Sequence, residues 1–193
     1  MTSAAAPPDT RDDLILAAIG HSIRTLDLPL SLFDDLISAF GQDTMTTRYA
    51  SWGDLFDYCR RSANPVGRLV LRIAGYRDKA LDRLSDAMCT ALQLTNFWQD
   101  FGRDWAAGRL YVPRDVQEAC GAREADLGGD RLTPAWAAAI ERCASVTREE
   151  FRVGRAVCDA VGGRLRLELR MTWLGGVRVL DRAELNRWRL MHH

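Results

Sequence analysis

The chain has 193 residues, 47% hydrophobic and 27% charged, which suits one domain with a sizeable core and is ordinary for a globular protein. Its 26 basic and 26 acidic side chains balance, so there is no electrostatic case for a nucleic-acid partner. Five separated cysteines, Cys59, Cys89, Cys120, Cys143 and Cys158, form no Cys-x-x-Cys pair; neither a zinc site nor a disulfide framework is indicated, and a reducing compartment is expected.

Taken in order, the sequence reads as helices throughout, with no internal repeat, strand alternation or low-complexity segment. Met1 to Pro8 lacks the charged start and long apolar run of a secretory signal, and with 184–193 it reads as a flexible tail on a single domain spanning 1–193. Asp9 or Thr10 can cap a first helix carrying Leu14, Leu16, Ala17, Ile19, Ile23 and Leu26 and ending before Pro29. Ser31 starts a shorter helix, closed by Gly41, expected to turn Leu32, Phe33, Leu36, Ile37 and Phe40 inward. Both are expected to be core scaffolding. Ser51-x-x-Asp54 reads as a capping box for a helix that reaches Gly75, bent by Pro65 in its middle, where the small residues Ala63 and Gly67 leave room.

Arg77 or Asp78 begins a long helix that runs past Asp104 to Gly108, and Pro113 opens a short helix to about Cys120. Residues 121–132 form a polar connector. Thr133-Pro134 starts an amphipathic helix read from Trp136 to Val161, and Gly162-Gly163 stops it. A last helix runs from Arg164 to Ala183, with Gly175-Gly176 allowing close approach of a neighbouring helix or apolar chain. No stretch is apolar enough to span a bilayer, so the cytoplasm is the expected location. The basic and apolar tail Asn186 to His193 suggests peripheral contact with the inner face of a membrane, with a frayed terminus as the competing reading.

The chemistry concentrates in Gln93-Leu94-Thr95-Asn96-Phe97-Trp98-Gln99-Asp100-Phe101-Gly102-Arg103-Asp104. On one helix Gln93, Asn96, Asp100 and Asp104 fall at offsets of three and four and stack along one polar face, flanked by Leu94, Phe97, Trp98 and Phe101 on one side and Leu84, Met88 and Leu92 on the other. A helix apolar on most of its circumference is normally buried, so the stripe is expected to point into a cavity. Two carboxylates one turn apart repel and call for a cation between them. Magnesium fits: it takes one or two carboxylates and completes its octahedron with waters and phosphate oxygens, which Gln93 and Asn96 can orient. A solvated face that happens to carry two aspartates is the competing reading.

Gln-x-x-Asn-x-x-x-Asp-x-x-x-Asp followed by Gly108-Arg109-Leu110-Tyr111-Val112-Pro113 resembles the second aspartate-rich motif of the squalene/phytoene synthase family. Tyr58-Cys59-Arg60-Arg61-Ser62-Ala63-Asn64-Pro65-Val66-Gly67 is similar to that family's Tyr-Cys-x-x-x-Ala-x-x-Val-Gly segment, and the wording is most like the bacterial hopanoid branch, the hydroxysqualene (squalene) synthase type. Similarity runs from about Leu14 to Asp181. The resemblance implies an all-α isoprenoid synthase-type helical bundle around an apolar cavity, with Mg²⁺ and a prenyl diphosphate at one end. It implies that Asp100 and Asp104 hold the metal and that Tyr58 acts on diphosphate oxygen or a cationic intermediate. It further implies that Phe97, Phe101 and Trp98 offer ring faces to the cation, and that Ala63, Val66 and Gly67 line the substrate path. Arg109 and Tyr111 are expected to fold over the carboxylates as part of a lid. Asp43, Arg48 and Tyr49 resemble positions at the mouth of the site, Arg48 as a substrate contact. In the hopanoid branch, ionised presqualene diphosphate is expected to be quenched by water to hydroxysqualene.

Two departures bear on that implication. The family's first aspartate-rich motif lies upstream of the part that aligns with Leu14, and neither Asp12-Asp13 nor Asp34-Asp35 matches it, so the bundle is expected to be N-terminally incomplete. Gln99 stands where phytoene-type relatives usually place arginine, which argues against a phytoene-like product. Two expectations follow: a prenyl-diphosphate enzyme, active as written or with helices supplied by a partner chain, and a catalytically silent relative that binds diphosphate or packs with a partner. Uncovered apolar surface is expected to make the chain self-associate.

Overall fold

The computed structural model describes residues 10–191; the N-terminal tail expected at 1–8 lies outside the described residues, as do His192 and His193. Thr10 opens α1 (Arg11–Leu26) through a capping box in which its hydroxyl accepts from the Asp13 amide and the Asp13 carboxylate accepts from the Thr10 amide at 3.2 Å. Asp27 ends the helix in the left-handed conformation at φ +49°. Helix α1 is not core scaffolding: it buries no residue, and Leu14, Ile15, Leu16 and Ile19 are exposed. In α2 (Leu30–Asp43), which continues past Gly41, Leu32 and Ala39 are buried while Ile37 and Phe40 are exposed, against expectation. The reason is geometric, since α2 packs through one stripe on the two helices that follow and leaves the adjacent stripe uncovered.

Ser51 and Asp54 form the expected capping box at the start of α3 (Trp52–Ser62). The expected bend at Pro65 is a break. Ala63 leaves helical geometry at φ −119°, and Pro65 stands in the first turn of a new helix, α4 (Asn64–Ile73), where a missing N–H goes unused. Asp78 caps α5 (Lys79–Gln99) by accepting from the Ala80 amide at 2.7 Å. The helix expected to continue to Gly108 is interrupted at Asp100, whose ψ of 13° separates α5 from α6 (Phe101–Ala106). The Asp100 amide closes α5 by donating to the Asn96 carbonyl at 2.9 Å, and the Asp104 amide opens α6 by donating to the Asp100 carbonyl at 2.8 Å.

Beyond Gly108, α7 (Arg114–Cys120) has Pro113 as its cap, and a 3-10 turn spans Glu124–Gly128. Thr133 caps α8 (Pro134–Gly154). The single helix read from Trp136 to Val161 is two, because the chain turns at Arg155 and Ala156 before α9 (Val157–Ala160). Then come α10 (Gly163–Leu185) and a 3-10 turn, Arg187–Arg189, so residues up to Met191 have defined positions where a tail was expected. Among the described residues the one β-type pairing is an isolated bridge between Arg48 and Leu110.

Helix α5 is the axis of this all-α bundle, packed by α8 on one side and by α3, α4 and α10 around it. Against α8 the packing is tight. Trp98 is buried and its indole N–H donates to the Thr147 hydroxyl at 2.8 Å, which satisfies the only polar atom of a large apolar side chain. Gly154 lets the α8 backbone reach Met88, whose amide nitrogen would lie 2.5 Å from any added Cβ. Gly176, not Gly175, supplies the close approach expected of that pair, with Phe151 and Leu92 against it. Between α4 and α5, Arg72 grips Asp82 at 2.5 and 2.8 Å in a nearly buried pair.

Candidate functional site

One face of α5 and α6 carries Ser85, Cys89, Leu92, Asn96, Asp100 and Asp104, spaced three or four apart, with Gln93 beside Leu92 at its edge. This face is not sealed inside the protein. Asn96 is exposed, and Gln93, Asp100 and Asp104 are partly exposed, so the stripe lines an open surface instead of the closed cavity expected from its apolar flanks. Those flanks are satisfied elsewhere. Leu94, Trp98 and Phe101 turn into the core, Phe101 against Trp136 at 5.6 Å, and therefore Phe101 and Trp98 do not present ring faces to the stripe as expected.

The loop after α6 folds back toward the carboxylates. Arg109 donates to Asp104 Oδ1 at 3.0 and 3.3 Å, and Tyr111 lies flat on Phe97 with ring centroids 3.7 Å apart and planes within 7°. Tyr58 and Tyr49 complete an aromatic cluster: Tyr58 is 6.1 Å from Phe97 and 6.4 Å from Tyr111, and Tyr49 is 5.6 Å from Tyr58. Thus Arg109 and Tyr111 come together beside Asp104, with Phe97 and Tyr58 in the aromatic cluster behind Tyr111. Arg48 has a different task from the expected substrate contact. Its guanidinium bonds both oxygens of Glu124 at 2.9 Å, donates to the Gly108 carbonyl at 2.8 Å and lies over Trp105 at 5.5 Å. These bonds, with one more to the Thr47 carbonyl at 2.9 Å, anchor the loop, which the Leu110 amide reinforces by donating to the Thr47 carbonyl at 3.0 Å.

Asp104 titrates above the ordinary carboxylate range: burial is the largest cause, Asp100 adds to it, and the bond from Arg109 only partly offsets it. Its side chain is 13% exposed, so desolvation outweighs one arginine. Burial likewise pushes the Tyr111 phenol up to about 12, with the Asp104 charge adding to the effect. Tyr58 and Tyr49 are raised further, chiefly by burial, with the Asp43 carboxylate acting on both. These phenols are neutral donors at physiological pH. Asp43 was foreseen only at the mouth of the site, because nothing in its spacing ties it to residues 6 to 68 positions away; its charge acts on Tyr49, Tyr58, Arg109 and Tyr111 together.

Among the described residues Asp100 is paired only with Arg103, at 3.2 Å, and that arginine is mostly exposed. Two carboxylates on successive turns, one held above its usual pKa despite a paired arginine, suit a divalent cation. Among the described residues no group of three or more His, Cys, Asp or Glu is placed to hold a metal.

Further along the same face, α4, α5 and α10 enclose an apolar groove of about 270 Å³ lined by Val66, Gly67, Val70, Cys89, Leu92 and Leu169, among others. Gly67 packs closely on α5: an added Cβ would overlap the Ser85 hydroxyl and meet Cys89 Sγ at 2.5 Å, so both side chains would have to turn away. Val66 and Gly67 border the groove, whereas Ala63 is buried at the break between α3 and α4 and is not among the groove's lining.

The Squalene/phytoene synthase family profile matches residues 2–192, nearly the whole chain. The chain belongs to the squalene/phytoene synthase family. A hydroxysqualene synthase of Zymomonas mobilis is 44% identical over 115 residues, covering 59% of this chain and 38% of that protein. One from Rhodopseudomonas palustris is 38% identical over 137 residues, covering 70% and 47% respectively. The crystal structure of squalene synthase HpnC from Alicyclobacillus acidocaldarius superposes with a TM-score of 0.84 at 41% identity, over 88% of this chain and 65% of that one. A dehydrosqualene synthase crystallised with a ligand shares the fold, with a TM-score of 0.79 at 19% identity. The chain spans less than half the length of the curated relatives it matches. The all-α isoprenoid synthase fold expected from the motifs is the fold observed.

Proposed function

We propose that this member of the squalene/phytoene synthase family takes part in squalene/hydroxysqualene synthesis, binding presqualene or farnesyl diphosphate for magnesium-assisted ionisation in squalene and hopanoid biosynthesis. One observation carries the reading: the carboxylates of Asp100 and Asp104 and the apolar groove at Val66, Gly67, Cys89 and Leu92 lie along a single face of α5 and α6. Cys89 and Asp100 are eleven residues apart, on the order of 16 Å along a helix, so one elongated amphipathic molecule can reach from groove to carboxylates. Mg²⁺ held by Asp100 and Asp104 would neutralise the charge growing on the departing diphosphate.

The residues of the chain do the rest. Arg109 and the neutral phenol of Tyr111 offer donors next to Asp104, the Tyr58 phenol faces Asp43, and Asn96 and Gln93 extend the polar end of the face toward the groove. Tyr111, half-buried and backed by the buried ring of Phe97, supplies an aromatic surface worth roughly 0.5 to 2 kcal/mol to a nearby cation. The second reading, a silent relative that binds diphosphate without turnover, is favoured by the lack of a third carboxylate within reach of the aspartate pair among the described residues.

Incubation of the purified chain with Mg²⁺ and presqualene diphosphate, or farnesyl diphosphate, separates the two. Pyrophosphate release above that of an Asp100→Ala control is the expected result. Release no greater than the control leaves only the silent reading, and no difference between parent and variant in binding magnesium pyrophosphate removes both.

A further inference from the structure

Gly102 stands midway between Asp100 and Asp104 and is buried under the last turn of the chain. A Cβ built on it would overlap the Leu190 carbonyl oxygen and come within 3.0 Å of Met191 Cα and 3.2 Å of the Leu190 carbonyl carbon. These are backbone atoms, so no side-chain rotation relieves the overlap. The overlying turn is tied to the bundle independently of α6: Arg187 donates to the Glu184 carbonyl at 3.0 Å and lies 3.6 Å from Glu141 of α8, while Arg148 of α8 holds Asp181 at 2.9 Å and also pairs with Glu184. Leu190 and Met191 themselves pack against the core.

Helix α6 needs such support. It has six residues, follows the interruption at Asp100, and has no side-chain cap at its N-terminus. A helix of that length does not hold its shape unaided.

We propose that Arg187–Met191 is a strap that fixes α6 in register on α5, and that Gly102 is the positioning residue through which it sets the Asp104 carboxylate relative to Asp100. The metal consequence rests on the diphosphate reading above; the hold on α6 does not. Three variants test it: Gly102→Ala, a chain ending at Arg189, and the two combined. Amide hydrogen exchange reports on Asp104, Ala107 and Gly108, whose amides donate to Asp100, Arg103 and Trp105. Exchange at these three is expected to rise about tenfold in each single variant and no further in the combination, while amides of Ala91 and Leu94 in the buried part of α5 keep their protection. Mn²⁺ affinity, read by electron paramagnetic resonance, is expected to fall about tenfold in the same variants.

Unchanged exchange in α6 on removing the strap overturns the proposal. So does a rise that is equal throughout α5 and α8, which would make the contact one of general stability. Additive effects in the combined variant would show that Gly102 and the strap act separately, and also overturn it. If the parent chain takes up no Mn²⁺ while the exchange pattern is as expected, the diphosphate reading fails and the strap stands.

Discussion

Helix α5 has two sides made by different rules. The side toward α8 is dry: Leu94 and Trp98 are buried, the indole has its hydroxyl partner in Thr147, and Gly154 closes the backbones together at Met88. The other side is open and mixed, with Leu92 and Cys89 at one end and Asn96, Asp100 and Asp104 at the other. On the first side each residue is accounted for by what touches it. On the second, Asp104 is only partly offset by Arg109 and Asp100 is paired with an arginine that is mostly exposed, so two neighbouring carboxylates face an open surface. Within one helix the packing face and the polar face can be told apart by how far their side chains are satisfied within the chain.

The largest effect should come from the dry side. Trp98→Ala removes a buried indole and is expected to lower stability by about 3 to 5 kcal/mol, measured by urea denaturation. Thr147→Val, which leaves the indole N–H without a partner, should cost about 1 to 3 kcal/mol. If Trp98→Ala cost no more than a surface substitution, the two sides of α5 would not differ in the way described.

The dry side was also the more legible in the sequence. The capping residues Thr10, Ser51, Asp78 and Thr133 marked four helix starts that the structure keeps, because a cap is a local hydrogen bond that depends on few neighbours. The breaks at Ala63, Asp100 and Arg155 were read as bends or missed. In each, helical spacing of apolar residues continues across the interruption, so periodicity carries no sign of it. Burial of α1 and half of α2 was misjudged for a related reason: an apolar stripe such as Leu16 and Ile19, or Ile37 and Phe40, states what a helix can cover and not what covers it. At the site, Asp100, Asp104, Arg109 and Tyr111 were legible as a motif because they lie within twelve residues. The anchoring role of Arg48 was not, as its partner Glu124 is 76 residues away.

A smaller effect on stability, and a larger one on association, is expected on the open side. Ile37 and Phe40 are 67% and 62% exposed, and with Leu14, Leu16 and Ile19 they leave apolar surface on α1 and α2 facing solvent. Replacing Ile37 and Phe40 together with serine should change unfolding free energy by no more than about 0.5 kcal/mol each. It should also weaken self-association measured by sedimentation, because the removed groups contribute only apolar contact area. A loss of stability comparable to that of Trp98→Ala would mean that this surface is packed in solution.

The smallest effect sharpens the comparison most, because it sets two similar ion pairs against each other. Asp104 is bonded by Arg109 at 3.0 Å and Glu124 by Arg48 at 2.9 Å, yet their carboxyls shift in opposite directions. For Glu124 the hydrogen bonds from Arg48 dominate and lower its pKa; its contribution to stability is present above the unfolded carboxylate range and is lost as the pH falls through its lowered folded value. For Asp104 burial dominates and raises it, so its contribution is complete below the unfolded value and is lost as the pH rises through the raised folded one. Glu124→Gln should therefore become less stable relative to the parent as pH rises from about 3 to 7, and Asp104→Asn should become more stable relative to it over the same range. Denaturation series in the presence of EDTA keep divalent ions from masking the second slope. Slopes of the same sign would show that Asp104 is an ordinary structural ion pair, already neutralised by Arg109. Opposite slopes would mean that its ionised form is held at a cost in stability, which is the condition under which a bound cation gains most from being there.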